Sequence, residues 1–566
     1  MSTQLPHLIV IKILDYLLNH CCGRESVLFL SHTLNCVSKE WSKVILNKLH
    51  YSRPIKYLKS AENDLHHLAK ISKFYFEVSM ERLYQFDHTK NKEIAKYITH
   101  LKTYQTVTKD ILNFYPNLKY LTVDLMPSKE DLCNLHDKEI QSIIISRGIS
   151  VSILNYNNNA STRSLLTKIP LSNLYISNPP SDLYEYLLDS PTTPFNVQKL
   201  TFQSMLITPD LMVILIGIVV NLKELSLMGL RNIKNYDSVI TKLSNSACSS
   251  TIEKVCIKKG ELSMGVLCEF LHKSKVLKYL SLSSVDFIQT RINTNLLNST
   301  SLESLEICGK YTDFSKFEIL NSLSILKSVR NLSIQHSLLY STIRNIGGLL
   351  QTNLFKNLQE FTLVVNSIFY GDNSPNDIIG FLNQLVRLNI KSLKRLQILE
   401  KSSEEPLLYL NDILESLKFN NTLDHLKICN ATIYDFARFC QMNHPSIRTF
   451  HVENMIITNT DDYDVEKVHQ PLVTVIGANQ TLEYLTIDGY NALGAPLDVI
   501  LGILRNNHIL ISLQLHTQIS PKPQHINEFT EVLNSNQTIL NLSKFDSDIY
   551  SKYTISFRDL NTFKIV

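Results

Sequence analysis

The sequence predicts an α/β solenoid, an array in which a short strand and a helix alternate along the chain. A hexad with apolar residues at positions 1, 4 and 6 recurs, for example at 222–227, 277–282 and 482–487. Its successive starting points lie about 28 residues apart on average, an interval typical of solenoid repeats. Apolar segments with helical spacing fill the intervals, as at 266–271 and 497–504. These observations predict one strand and one helix per repeat.

Each hexad predicts a strand whose two faces differ. Strand side chains alternate, so positions 4 and 6 point into the core and positions 3, 5 and 7 point outward. One strand with one helix cannot bury its apolar face alone, and stacked neighbours complete the core. The predicted units begin at residues 118, 140, 171, 197, 222, 252, 277, 302, 329, 358, 393, 423, 447, 482, 510 and 539, with a degenerate unit at residue 71.

Polar segments mark the connections between strands and helices. We expect surface loops at residues 155–164, 178–195, 370–377, 401–406 and 458–470. Asn420, Asn479 and Asn536 each stand three residues before a hexad. We expect them to adopt the left-handed conformation that ends a helix. Because no regular Asn or Cys follows the strands, the sequence does not predict a continuous asparagine ladder.

The composition is that of a folded protein without a dedicated charged surface. The 566 residues carry a formal net charge of +4, which gives no electrostatic case for a nucleic-acid binder. The ten cysteines form no Cys-x-x-Cys pair, so we expect reduced and mostly buried thiols. The longest apolar run, 211–220, is shorter than the roughly 20 residues that a membrane helix needs. No basic segment precedes the first apolar stretch, which favours the cytoplasm or the nucleus.

The first 50 residues lack the hexad and predict a small helical module. Its pattern runs from a Leu-Pro start, through an Ile-Leu-x-x-Leu helix, to a Val-x-x-x-Trp ending. The residues at these places are Leu5, Pro6, Ile13, Leu14, Leu17, Val37 and Trp41. This segment resembles an F-box, although no acidic residue follows Leu-Pro and the interval near residues 19–26 is longer than in that family. The alternative is a helical cap that shields the first repeat.

The module and the repeats together resemble the F-box and leucine-rich-repeat protein family. The repeat length is similar to that of the ribonuclease-inhibitor type, which implies a curved horseshoe of about 16 repeats. The resemblance implies that the seven module residues bind a Skp-type adaptor of a cullin ubiquitin ligase and that the solenoid holds a substrate protein. Such a subunit acts by proximity and catalyses nothing itself. The alternatives are a scaffold or inhibitor with no ubiquitin link, and a GTPase-activating solenoid.

No sequence motif predicts catalysis. Gly260 and Gly265 have the spacing of a phosphate loop, but Val266 stands where a lysine is needed. The histidines and cysteines show no metal-ligand spacing. We therefore expect a protein that is not an enzyme, uses no cofactor or metal, and has protein partners rather than a nucleic acid or a membrane.

The remaining place for function is the concave face of the predicted solenoid, which the outward strand positions line. Its small hydroxyl residues, such as Ser226 and Thr362, suit close stacking of strands. Tyr and Arg are enriched at interaction hot spots, although aromatic residues also favour strands for their own sake. The larger candidates for partner contact are Tyr120, Tyr175, Lys254, Lys258, Tyr279, Arg395, His425, Lys427, His451, Glu453 and Tyr484.

These criteria divide the chain into four regions. Residues 1–50 form the F-box-like helical module, and residues 51–117 form a transition with degenerate first repeats. Residues 118–543 form the leucine-rich-repeat solenoid. Residues 544–566 contain a segment with strand-like alternation and form a cap on the last repeat.

Overall fold

Parallel strands recur along the chain in the computed structural model of this protein. The residues that the structure describes are 55–56, 76–79, 95–103, 107–124, 137–154, 171–176, 195–203, 207–229, 234–288, 301–308, 328–335, 356–366, 375–401, 408–456, 465–488, 497–515, 528, 531–532, 535–536, 538 and 541–542. The predicted N-terminal module and C-terminal cap lie outside the described residues. The chain forms two units, Met1–Gly260 and Glu261–Val566.

The sheet of the first unit is parallel throughout. Its strands are β1 (Ile55–Lys56), β2 (Phe76–Ser79), β3 (Ile98–Thr103), β4 (Tyr120–Asp124), β5 (Ser150–Leu154), β6 (Leu171–Ile176), β7 (Phe195–Phe202), β8 (Val219–Val220), β9 (Glu224–Met228) and β10 (Lys254–Ser263), of which residues 254–260 belong to this unit. Strands β1 to β7 pair in chain order. The short β8 pairs with β7, and β9 lies between β7 and β10. Parallel neighbours require a crossover that returns the chain to the same edge after each strand.

The second unit repeats this arrangement. Its strands are β11 (Tyr279–Ile288), β12 (Ser304–Cys308), β13 (Asn331–Gln335), β14 (Glu360–Asn366), β15 (Arg395–Lys401), β16 (His425–Thr432), β17 (Thr449–Ile456), β18 (Tyr484–Ile487), β19 (Ser512–Leu515) and β20 (Asn541–Leu542). Each strand pairs in parallel with the next one along the chain.

Helices occupy many of the crossovers. They are α1 (Lys109–Phe114), α2 (Lys138–Arg147), α3 (Pro209–Ile218), α4 (Asp237–Asn245), α5 (Met264–Lys273), α6 (Pro375–Arg387), α7 (Asn411–Leu417), α8 (Ile433–Gln441), α9 (Val465–Ala478) and α10 (Leu497–Asn506). Consecutive helices from α6 to α10 pack against one another. The predicted α/β class is therefore confirmed, and the open parallel sheets are compatible with a solenoid. None of the described helices is long and apolar enough to cross a membrane.

The strands align the hexads position by position. In the second unit, position 4 forms a column of side chains that are Leu280, Leu305, Leu332, Phe361, Leu396, Leu426, Phe450, Leu485 and Leu513. Every member of this column is buried, as are the position 6 residues from Leu282 to Ile487. Full burial of such a side chain contributes about 1.5–3 kcal/mol relative to exposure. The prediction that positions 4 and 6 form the core is confirmed for these strands.

The hexad at residue 140 lies in a helix rather than a strand. Helix α2 begins after Asp137, whose carboxylate caps its first turn, and ends at Gly148, which has a φ of +62°. Ile140 and Ile144 lie one helical turn apart and are buried, while Ile145 is 55% exposed. The helical i, i+4 spacing of apolar residues therefore decides the structure here, and the predicted strand is wrong.

Two strands lie where the hexad is incomplete. Position 6 of β3 is Thr103, which is buried, and position 1 of β5 is Gly148. Neither strand matches the apolar pattern, yet both pair with their neighbours in register with β4. Strand β2 begins at Phe76, so the degenerate unit predicted at residue 71 is displaced. The parallel pairing of β2 with β3 extends the sheet upstream of residue 118.

A column of buried side chains connects the turns that precede β16 to β20. Its members, each three residues before a hexad, are Asn420, His444, Asn479, Asn507 and Asn536. The Asn479 amide donates to the carbonyl of Cys440 in α8 (2.8 Å), and its Oδ1 accepts from the Leu482 N–H (2.8 Å). The amides of the other three asparagines donate to carbonyls in α6, α9 and α10. Each amide thus satisfies a helix-terminal carbonyl that has no partner inside its helix.

This column corrects one expectation. Asn420, Asn479 and Asn536 do not have positive φ; among the described asparagines, left-handed conformations occur at Asn221, Asn389 and Asn443. The turn asparagines act instead through their side-chain hydrogen bonds. The column lies before the strands, whereas the predicted absence of an asparagine ladder concerns the residues that follow them.

His444 takes the place of an asparagine in this column. Its Nε2 lies 3.0 Å from the carbonyl of Leu417 at the end of α7, and its Nδ1 accepts from the Ile447 N–H at 3.2 Å. These two contacts assign the proton of the neutral ring to Nε2. Burial lowers the pKa of His444, since a charged ring loses hydration there.

Two predicted loops are partly helical. Helix α6 begins at Pro375 and α9 begins at Val465, so the ends of the segments 370–377 and 458–470 belong to helices. Proline suits a first helical turn, and the polar start of α9 leads into its buried residues, such as Leu472 and Ile476. The polar composition thus continues past the point where each helix begins.

The cysteines of the described part are mostly buried. Five of them are buried, namely Cys248, Cys268, Cys308, Cys429 and Cys440, and Cys256 is half-buried. The prediction of mostly buried thiols is confirmed for these residues.

Candidate interaction surface

The outward positions of the strands form a polar face, which we call the polar sheet face. In the second unit, position 3 is filled by Tyr279, Ser304, Asn331, Glu360, Arg395, His425, Thr449, Tyr484 and Ser512. Position 5 is filled by Ser281, Glu306, Ser333, Thr362, Gln397, Lys427, His451, Thr486 and Gln514. Neighbouring members of a row lie about 4.8 Å apart, so their side chains interact in pairs across the strands.

Four of the predicted residues meet on β15, β16 and β17. Arg395 lies directly beside His425 in position 3, and Lys427 lies directly beside His451 in position 5. Arg395 is the most accessible of the four, with 61% of its side chain exposed. We call this group of four side chains the basic cluster.

Carboxylates at the margin balance the basic cluster. Lys427 Nζ lies 2.7 Å from Glu453 Oε1, and His451 Nε2 lies 2.7 Å from Asp488 Oδ2. Arg395 makes a looser ion pair with Glu360, at 3.7 Å. The cluster is therefore a network of short-range contacts between basic side chains and carboxylates rather than a strongly positive anion site.

His425 lies at the centre of the basic cluster. Burial lowers its pKa, and the charges of Arg395 and His451 lower it further. A neutral ring at pH 7 presents one donor and one acceptor to a partner. His425 thus adds hydrogen-bonding capacity to this surface without adding charge.

The two tyrosines of the position 3 row differ in how accessible they are to a partner. The Tyr279 hydroxyl donates to Oε2 of Glu306 on the neighbouring strand at 2.8 Å. This hydroxyl is therefore already hydrogen-bonded within the sheet. Tyr484 is 42% exposed and begins β18. Tyr484 is therefore better placed than Tyr279 to contact a partner.

The first unit holds the remaining candidates in two places. Tyr120 is 47% exposed and stacks on His100 of β3, with ring centroids 4.3 Å apart. Tyr175 bonds Gln203 through its hydroxyl, and burial raises its pKa. Lys254 and Lys258 lie on β10, so they share a patch with Tyr175 rather than with Tyr120.

The prediction that position 7 faces outward is wrong in several strands. Cys308, Val364 and Cys429 occupy this position and are buried. The segment 408–410 covers Cys429, whose Sγ lies 3.7 Å from the Leu408 carbonyl. A connecting segment that folds over the end of a strand removes its last outward residue from solvent.

Sequence reasoning predicted Glu453 but missed three other carboxylates and one histidine of this face. His100, Glu306, Glu360 and Asp488 each contact one of the predicted residues. Glu306 and Glu360 occupy hexad positions 5 and 3, so the position rule alone could have found them.

The predicted adaptor-binding residues lie outside the described residues. They are Leu5, Pro6, Ile13, Leu14, Leu17, Val37 and Trp41. In the described part of the chain, no group of three or more His, Cys, Asp or Glu side chains is placed to hold a metal ion. No protein-family model matches this chain, and no curated protein matches it.

Proposed function

We propose that the chain is a non-catalytic adaptor that binds a partner protein on its polar sheet face. The observation that carries the proposal is the row from Arg395 to Tyr484 across β15 to β18. Two exposed side chains of the types enriched at hot spots stand there on a sheet whose core is fully buried. Stacked parallel strands present such residues on an extended surface, which is how repeat arrays bind proteins.

We further propose a more specific role from the resemblance of residues 5–41 to an F-box. The chain is then a leucine-rich-repeat horseshoe of about 16 repeats that acts in the cytoplasm or nucleus. It serves as the substrate-recognition subunit of a Skp–cullin–F-box ubiquitin ligase. A Skp-type adaptor binds the N-terminal helices, and the sheet face holds the substrate near the transferase. The alternative is a scaffold or inhibitor with no ubiquitin link.

Affinity purification with mass spectrometry tests both levels of this proposal in the full-length protein. We expect Leu14→Asp combined with Trp41→Ala to lose a Skp-type adaptor and to keep the other partners. We expect Arg395→Glu combined with Tyr484→Ala to keep the adaptor and to lose at least one other partner. Loss of a hot-spot side chain costs at least about 2 kcal/mol, or roughly 30-fold in affinity.

Tyr434→Ala is the matched control, because Tyr434 is 72% exposed on helix α8 and lies off the sheet face. Unchanged adaptor recovery with the Leu14 and Trp41 double variant would show that the F-box hypothesis is wrong and would favour the scaffold. Equal partner recovery by the Arg395 and Tyr484 double variant and by the Tyr434→Ala control would contradict binding through the sheet face. Circular dichroism checks that each variant is folded.

A further inference from the structure

A row of mostly charged side chains borders the polar sheet face of the second unit, where its strands begin. We call it the edge row, and its members occupy hexad position 2, one residue before each strand. From β11 to β19 they are Lys278, Glu303, Arg330, Gln359, Lys394, Asp424, Arg448, Glu483 and Ile511. The charges alternate in sign along this row, and no two neighbours among these nine positions carry like charges.

Backbone hydrogen bonds place consecutive members of the edge row side by side. The Asp424 N–H donates to the Lys394 carbonyl at 2.8 Å, and the Arg448 N–H donates to the Asp424 carbonyl at 2.9 Å. The Glu483 N–H continues the series with the Arg448 carbonyl, also at 2.9 Å. The same bond joins the other members of the row. The order of charges along the row therefore follows the order of the repeats.

Two cations of the edge row extend toward the next repeat. Lys394 Nζ donates to the Thr422 carbonyl at 3.3 Å, and the Arg448 guanidinium donates to the Thr481 carbonyl at 3.1 Å. Each of these threonines stands two residues before the next member of the row, which is a carboxylate. Arg448 Nε also lies 4.0 Å from Glu483 Oε1. Both cations therefore lean to the side on which the row places the opposite charge.

The core does not by itself specify which repeats become neighbours. Position 4 is a buried leucine in β15, β16 and β18, at Leu396, Leu426 and Leu485. A strand that skipped one repeat would therefore still pair with a strand of the same apolar pattern. The core residues of this array favour strand pairing in general, and another feature has to distinguish the correct neighbour from the next one along the chain.

The edge row makes this distinction through charge. Adjacent repeats bring opposite charges together, which attract across neighbouring strands. A pairing that skipped one repeat would place Lys394 beside Arg448, or Asp424 beside Glu483, and like charges at such positions repel. Each surface pair contributes little alone, but the same preference recurs along the row.

We propose that the edge row selects the correct neighbour for each strand while the repeats assemble. This conformational role goes beyond the proposed partner binding and does not depend on it. Attraction between adjacent repeats supports the native order, and repulsion across a skipped repeat disfavours the alternative order. Because the charges lie at the surface, dissolved salt screens the selection.

A swap variant of the full-length protein, Asp424→Arg combined with Arg448→Asp, tests the order of the charges. It keeps the amino-acid composition and the net charge. The wild type reads positive, negative, positive, negative from Lys394 to Glu483. The swap variant reads positive, positive, negative, negative, so like charges become neighbours at both ends of this segment. Opposite charges then lie one repeat apart, and the preference of the wild type is reversed.

The matched control is an inversion variant, which reverses the sign of all four charges in this segment. Its substitutions are Lys394→Glu, Asp424→Arg, Arg448→Asp and Glu483→Lys. Composition and net charge again stay the same. The alternation is preserved, because the neutral residues Gln359 and Ile511 flank the segment.

Refolding from urea at low and high salt measures the selection. Between about 0.01 M and about 1 M NaCl the screening length falls from about 30 Å to about 3 Å. Size-exclusion chromatography gives the fraction recovered as monomer, and circular dichroism gives the urea midpoint. At low salt we expect the swap variant to yield at most about half the monomer of the wild type, and the inversion variant to match the wild type. At high salt we expect the three yields to converge.

Equal yields of the wild type and the swap variant at low salt would overturn the proposal. An equal loss in the inversion variant would also overturn it, because the individual side chains and not the order of their charges would then matter. A loss in the swap variant that persists at high salt would indicate a packing defect and count against it. The urea midpoint decides the matter where refolding is inefficient. Added salt should lower the midpoints of the wild type and the inversion variant relative to the swap variant, and a common shift would contradict the proposal.

Discussion

His444 occupies a turn position that is held by asparagine in the neighbouring repeats. Four asparagines in equivalent turns donate to a helix end and accept from the following backbone. The imidazole of His444 makes the same two contacts through Nε2 and Nδ1. It can do so only when neutral, because a protonated Nδ1 cannot accept the Ile447 N–H. Because the His444 ring can take up a proton and an asparagine side chain cannot, this turn differs from its neighbours in its response to pH.

We predict that His444 makes the protein less stable in mild acid. Its pKa is lowered by burial, so below the ordinary value of 6.5 the unfolded chain binds a proton that the folded chain excludes. The stabilisation is fully present above that value and is lost progressively as the pH falls below it. The urea midpoint of the wild type, followed by circular dichroism, should drop more between pH 7.5 and pH 5.5 than that of His444→Asn.

The asparagine of His444→Asn restores the side chain found in the neighbouring turns, and His425 titrates in both proteins, so the difference isolates His444. An equal drop in both midpoints would show that the turn does not sense pH. The sequence places this histidine three residues before a hexad. Only the structure shows that the position is buried and hydrogen-bonded, because those partners come from a different repeat.

At the scale of elements, α2 shows two local patterns in competition. Residues 140–145 fit the strand hexad, but Asp137 and Gly148 provide a helix start and a helix stop. Both signals are visible in the sequence. The helix forms because Ile140 and Ile144 then bury on one face, while the incomplete hexad at 148–153 supplies the strand.

We predict opposite effects for two glycine substitutions. Gly148→Ala should destabilise the protein by about 1 kcal/mol, because its φ of +62° is unfavourable for a side chain. Gly380→Ala should stabilise it by about 0.5–1 kcal/mol, because Gly380 lies inside α6 and has no positive φ. Neither added Cβ meets another atom within 4 Å, so backbone conformation alone distinguishes the two. Thermal unfolding midpoints that move in the same direction would contradict this account.

At the scale of the whole molecule, stability is expected to be a sum of neighbouring contacts. Each strand pairs with the strands beside it, and consecutive helices pack in the same order. Arrays of this kind transmit a local defect mainly to their nearest repeats. The sequence repeat predicts this behaviour, because it places similar core residues at regular intervals.

We predict that core truncations have local effects. Leu485→Ala in β18 and Leu225→Ala in β9 each remove a fully buried side chain, at a cost of about 2–5 kcal/mol. Hydrogen exchange measured by mass spectrometry should increase in β17 to β19 for the first variant and in β7 to β10 for the second. An even loss of protection over all described strands would instead indicate one cooperative unit.

The sequence by itself determined the α/β class, the strand positions of most complete hexads, and the core-facing positions 4 and 6 of those strands. It could do so because core burial imposes the same spacing on every repeat. Tertiary structure alone decided which outward residues are paired, as with Lys427 and Glu453, and which are covered, as with Cys429. Those outcomes depend on groups from neighbouring strands and connecting segments, whose positions no single repeat specifies.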